Sequence, residues 1–279
     1  MFIAKTVATA LLVTAFGGLA SPGTDGAYAN KGKMESIRAT CMKEQGFRYL
    51  PEPVIKHKWT KEERARLAGD YEALRAYRAK YGFGVWSKLV FPDDKVVNPD
   101  SGESRNNKTM MSLSPSELKK YRAADNTCFS KAVKEVLGKS VSSFAGYLDK
   151  LDAALEHEVG ALDSDKKLAQ LGKEFAGCLK IAETRPSVLA ERGRTAFRKE
   201  ATEVARTKQP DPIPKHLQGE NFFMKPMLSP EEAKPYLDKE VDAALADLEC
   251  GKAFYQGYSP RARAAGERVY QEFALDFAL

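Results

Sequence analysis

Histidine is scarce in this sequence: His57, His157 and His216 are the only three in 279 residues. None stands in an HExxH pattern, and no cysteine lies within four residues of a histidine, so the ligand spacing of a zinc site is missing. Cysteine is scarce as well, with four residues and no CxxC. No GxSxG elbow is present to expose a nucleophilic serine. Beyond the first 20 residues no apolar run approaches the roughly 20 residues that cross a bilayer. Charge is not lopsided: 44 Lys plus Arg against 38 Asp plus Glu leave +6, well short of the concentrated basic face of a nucleic-acid binder. What is present, 43% hydrophobic and 29% charged residues, is the balance of a globular chain with a core.

The first residues read as a secretory signal peptide, 1–29. Lys5 closes a short positive start, Thr6 to Ala20 is apolar, and Ala27-Tyr28-Ala29 supplies the small-x-small pattern before a cut at Asn30. Such a cut removes one base, Lys5, and one acid, Asp25, so the net charge is unchanged. The competing reading is an uncleaved membrane anchor. Export predicts a secreted, extracellular protein with no stable membrane insertion once the signal is removed.

In an oxidising compartment Cys41, Cys128, Cys178 and Cys250 read as two disulfides, with three pairings possible. An internal echo favours one of them. Leu113-Ser114-Pro115-Ser116-Glu117 recurs as Leu228-Ser229-Pro230-Glu231-Glu232, each followed by a tyrosine, Tyr121 and Tyr236, and later by a cysteine. Pro115 and Cys128 are 13 apart and Pro230 and Cys250 are 20 apart; the difference of seven is about two helical turns, which puts each cysteine on a similar side. The simplest scheme is then Cys41–Cys128 and Cys178–Cys250.

Helix signals dominate the rest. Ser114, Ser229 and Thr60 are each followed three positions later by glutamate (Glu117, Glu232, Glu63), the reciprocal capping box. Pro115 and Pro230 suit the first helical position. Leu67, Tyr71, Leu74 and Tyr77 fall on one stripe, and Val141, Phe144, Leu148, Leu151, Leu155 and Leu162 form another. A last helix is expected from Pro260 through Val269, Phe273 and Phe277. Val85 to Phe91 and Lys95 to Val97 allow at most one short β-hairpin. The fold class expected is therefore mainly α: a disulfide-stapled helical bundle of two related halves, 30–162 with a long irregular segment 81–112, and 163–279 with a proline-rich loop 207–228.

The search for chemistry names no catalytic residue, no metal site and no cofactor. Tyr81-Gly82-Phe83-Gly84-Val85-Trp86-Ser87 begins like a phosphate loop but lacks the third glycine and the lysine. Two readings stand for its aromatics: burial in the core, or a platform on which Tyr81, Phe83 and Trp86 bind a sugar ring or a peptide. Asn98 to Glu103 is a turn-rich acidic stretch without the oxygen spacing of a calcium loop. Asn107-Lys108-Thr109 fits the glycan acceptor pattern. Glu62-Glu63 and Glu231-Glu232 favour helix starts, and Arg192, Arg194, Arg198 and Lys199 read as a solvated helix face.

The stretch Cys41-Met42-Lys43-Glu44-Gln45-Gly46-Phe47-Arg48-Tyr49 with Pro51 and Pro53, then Tyr81-Gly82-Phe83-Gly84, Asn98-Pro99, Leu113-Ser114-Pro115, Glu117, Tyr121 and Cys128, resembles uncharacterised exported four-cysteine helical proteins and lipoproteins of actinobacteria. Cys178, Leu228-Ser229-Pro230 and Ala246-Asp247-Leu248-Glu249-Cys250 are similar to the same group. The resemblance covers most of residues 35–255, although this chain lacks a lipobox cysteine. It implies a helical four-cysteine body and no established activity. The function expected is non-enzymatic binding or structural work at the cell surface or in the medium, with an anionic cell-wall polymer or a secreted protein as partner. The alternatives are a hydrolase of extracellular polymer, or an inhibitor or partner of another secreted protein.

Overall fold

Three reciprocal caps start three helices where the spacing places them. In α2 (Lys61–Leu67) the Glu63 amide donates to the Thr60 hydroxyl while the Glu63 carboxylate accepts from the Thr60 amide. Ser114 with Glu117 does the same for α6 (Pro115–Leu137), and Ser229 with Glu232 for α10 (Pro230–Glu272), each with proline in the first turn. The computed structural model describes residues 22–99, 104–208 and 226–275. The remaining helices are α1 (Pro22–Glu44), α3 (Tyr71–Tyr81), α4 (Ser87–Val90), α5 (Asn107–Met111), α7 (Phe144–Gly160), α8 (Lys166–Leu179) and α9 (Pro186–Lys208), with a 3-10 turn at Ala161–Ser164. The fold is mainly α, and no strand occurs among the described residues.

Both disulfides pair as the echo suggests. Cys41 on α1 bridges Cys128 on α6, and Cys178 on α8 bridges Cys250 on α10, each with Cα atoms 5.5 Å apart, inside the ordinary range. Each staple therefore ties an upstream helix to the capped helix that carries the Leu-Ser-Pro start.

The molecule is organised along α10, whose 43 residues pack against α1, α2, α3, α4, α7, α8 and α9. Its inward positions are Ala233, Leu237, Glu240, Ala244, Asp247, Gly251, Phe254 and Tyr258, spaced alternately by four and three. Its first turns bury Ala233 and Leu237 with Trp86 and Phe197; its middle joins Phe254 and Tyr258 to Leu168 and Phe175; its end places Val269 with Phe129 and Tyr147. The segments 30–162 and 163–279 consequently interlock, because α10 of the second packs on α3, α4 and α7 of the first.

Three local expectations are corrected, and the one hairpin allowed at most is not formed. Val85 to Phe91 and Lys95 to Val97 form no hairpin: Ser87–Val90 is a short helix, and the amides of Phe83, Val85 and Trp86 are committed to a distant carboxylate, leaving few ladder donors. The stripe Leu67 to Tyr77 is two helices, because Gly69 (φ +75°) turns the chain against the backbone of Tyr255; a Cβ there would lie 2.3 Å from the Tyr255 carbonyl oxygen. Helix α10 does not begin at Pro260 but runs through it. Proline there removes one ladder bond, while the Arg261 guanidinium donates to the Gly257 carbonyl at 2.7 Å and buried residues on both sides hold the axis. In α7 the buried line is Tyr147 and Leu151, with Phe144 and Leu148 exposed, because the Tyr147 hydroxyl turns inward to donate to the Phe273 carbonyl. The apolar run Thr6 to Ala20, Phe277, and most of the proline-rich loop, 209–225, lie outside the described residues.

Candidate functional site

The glycine-containing loop 81–86 cradles an anion, but the anion is internal. Glu240, on the inward face of α10 and fully buried, accepts the Phe83 and Val85 amides on Oε1 at 2.9 Å each and the Trp86 amide on Oε2 at 2.8 Å. Gly82 (φ +61°) makes this possible, since a Cβ there would sit 2.6 Å from the Glu240 Cγ. Burial pushes the carboxyl up to about 7, against the pull of the three amides. On the outer side of the same loop Asp94 accepts from Lys80 Nζ (2.9 Å), the Tyr81 hydroxyl (2.7 Å) and the Val96 amide (3.0 Å), and these donors hold it down to about 2.

This arrangement decides between the two readings of the aromatics. Trp86 is 0% exposed and stacks on Tyr236 with centroids 4.4 Å apart, Phe83 packs on Phe197, and Tyr81 is buried beside Phe91. The platform of Tyr81, Phe83 and Trp86 is thereby corrected to a core feature: with the loop drawn inward onto Glu240, the rings between the tethered amides have no outward path.

One register further along α10 lies a second buried acid, Asp247. Its Oδ1 accepts from Arg78 Nη1 at 2.6 Å and from the Tyr255 hydroxyl at 2.7 Å, while Arg192 Nη2 approaches Oδ2 at 3.5 Å. Arg78 also donates to the Ala244 carbonyl and lies 4.4 Å over the Tyr255 ring. Arg192 therefore reaches from the solvated face, where its side chain stays 37% exposed, toward this internal acid. Arg194 and Arg206 keep that face, pairing loosely with Glu191 and closely with Glu203.

A third network surrounds the first staple. Arg38 donates from Nε and Nη2 to the two oxygens of Asp125 at 2.7 and 2.8 Å, and from Nη1 to Glu35. Glu35 accepts from the Tyr49 hydroxyl and the Glu52 amide, both at 2.8 Å, and Asn106 clamps Leu50 through its amide and carbonyl. Beside this network the end of α1 and the chain after it enclose an open hollow of about 360 Å³, lined by Ala39, Thr40, Lys43, Phe47, Arg48 and Tyr49.

Ala27, Ala29 and Asn30 lie within α1, with Ala27 buried. His57 meets Trp59 edge-on at 4.3 Å and approaches Glu63 at 3.5 Å. His157 is exposed beside Glu158, and His216 lies outside the described residues. Asn98 donates to the Lys88 and Phe91 carbonyls as a turn brace, and 100–103 lie outside the description. No group of three metal-ligating side chains stands together among the described residues. Glu240 and Asp247 were not singled out by sequence reasoning, although a signal was there: two acids seven apart at inward positions of an apolar stripe. No family model, curated protein or solved structure matches the chain.

Proposed function

We propose that this chain is an exported, non-enzymatic protein that binds an anionic polymer outside the cytoplasm. The observation that carries the reading is that all four thiols are consumed in two bridges across long stretches of chain, which suits an oxidising compartment. Two further features support it. The buried carboxylates Glu240 and Asp247 and the partly buried Glu35 and Asp125 are each spent on donors inside the fold, so they brace helices instead of facing a substrate. No described helix is long and apolar enough to cross a membrane.

The test is secretion of the full chain from an exporting host. The expected product begins at Asn30, carries no free thiol by alkylation and mass spectrometry, and is retained on anionic wall material at low salt but released at high salt. A product beginning at Met1 with four free thiols would overturn the export half. Retention indifferent to salt, or none, would overturn the anionic partner.

A further inference from the structure

We propose that the hollow at the end of α1 is the binding site for that polymer, and that it takes a sugar ring bearing an anionic group. This rests on the reading above and names its site and ligand chemistry.

The rim carries two cations, Lys43 and Arg48, that form no ion pair or hydrogen bond through their side chains among the described residues, unlike Arg38, Arg78 and Arg192. A free guanidinium beside a free ammonium, above a concave apolar floor, is a site for a phosphate, sulfate or carboxylate group. The floor is aromatic: Phe47 and Tyr49 line it. The Tyr49 hydroxyl is already given to Glu35, so the ligand meets its ring rather than its polar end. A ring with apolar C–H edges and a charged substituent matches both halves of the hollow.

The floor is also held from behind, which lowers the ordering cost of binding. Arg38 lies 4.8 Å over the Tyr49 ring and is itself locked by Asp125 and Glu35. Phe47 rests edge-on against the buried Tyr121 at 5.4 Å. The turn between α1 and this segment is closed by the Gln45 amide on the Cys41 carbonyl and the Phe47 amide on the Met42 carbonyl, and Cys41 is stapled to Cys128. Because the hollow is open to solvent, a ring seated in it can continue into the rest of a polymer chain.

The experiment measures binding of the secreted chain to dextran sulfate (ring and anion), polyphosphate (anion alone) and dextran (ring alone) by isothermal titration at moderate salt. Dextran sulfate is expected to bind tightest. The variant Lys43→Gln/Arg48→Gln, changed only at exposed positions, is expected to lose about tenfold or more. The charge-matched variant Lys166→Gln/Lys167→Gln on α8 is expected to change by no more than about twofold. Equal losses in the two variants, or polyphosphate binding as tightly as dextran sulfate, would overturn the site or its ligand class. Binding of dextran sulfate that survives Lys43→Gln/Arg48→Gln unchanged removes this site and leaves the polymer-binding reading standing. A wild-type chain that binds none of the three removes both.

Discussion

Glu240 and Asp247 stand seven residues apart on the inward face of α10, and both are almost completely shielded from water, yet their charges are met by different chemistry. Glu240 is surrounded by backbone amides from one loop, which are neutral donors. Asp247 faces two guanidinium groups and a phenol. The amides organise the chain but add no opposing charge, so burial still penalises the ionised Glu240 and raises its carboxyl. The arginines supply the opposing charge, and they need Asp247 as much as it needs them. One acid is a fastening for backbone; the other is a counterion.

The comparison breaks most visibly at Asp247. Replacing it with alanine leaves Arg78 buried without its carboxylate, a loss of about 3–5 kcal/mol. Arg78→Leu with Asp247→Leu removes both charges and is expected to recover a large part of that loss. Urea unfolding of the single and double variants checks this, and additive losses would show that the two residues are not coupled.

Glu240→Gln is expected to cost less, about 2–3 kcal/mol, because the amide turns a donor toward one of three backbone N–H groups that need acceptors. Its distinguishing mark is pH. A carboxyl whose folded value is about 7 instead of 4.5 binds more protons when folded, so the wild type loses stability as pH rises from about 4.5 to about 7. With about 1.4 kcal/mol per unit, that limb amounts to roughly 3 kcal/mol. The variant should lack this falling limb across the same range in a series of thermal melts.

How much of this was visible in the chain follows the reach of each interaction. The caps at Thr60, Ser114 and Ser229 were legible because partner and cap lie three residues apart. The disulfide pairing was legible because the Leu-Ser-Pro echo ties each downstream cysteine to a helix register. For the loop 81–86 the choice between core and platform stayed open in the sequence because the acid that draws it inward is more than 150 residues away. Pro260 reads as a helix start in the sequence because the signals that keep α10 intact, the Arg261 contact and burial on both sides, are tertiary. The hollow at Lys43 and Arg48 carried no pattern beyond two separate cations, since what makes it a site is the curvature of the turn.

Gly82→Ala tests whether the fastening depends on approach distance. The alanine methyl would lie 2.6 Å from the Glu240 Cγ at a backbone geometry (φ +61°, ψ −133°) that side chains disfavour, for about 1–3 kcal/mol. If the loop is displaced from Glu240, Trp86 leaves its stack on Tyr236, and a red shift in its fluorescence reports it. An unshifted spectrum with full stability would show that the loop holds without the contact.

The smallest effect lies on the outer side of the same loop. Asp94 lies at the surface with its partner Lys80 half exposed, so losing its contacts with Lys80 and Tyr81 through Asp94→Asn should cost about 1 kcal/mol or less at neutral pH. Its sign is opposite to that of Glu240. A folded value of about 2 against an ordinary 3.8 means that the folded state releases its proton more readily, so this contribution is complete above 3.8 and fades as pH falls toward 2. The loop is thus pinned from inside by an acid that favours the low side of 4.5 and from outside by one that favours the high side of 3.8. Their joint contribution to stability is largest between those values. Glu240→Gln should remove the limb toward neutral pH, and Asp94→Asn should make shallower the acid limb that Glu183, also held down to about 2 by Arg185, continues to supply. The two limbs separating in the single variants would show that inner and outer carboxylates act independently; both vanishing in either variant would show one coupled device.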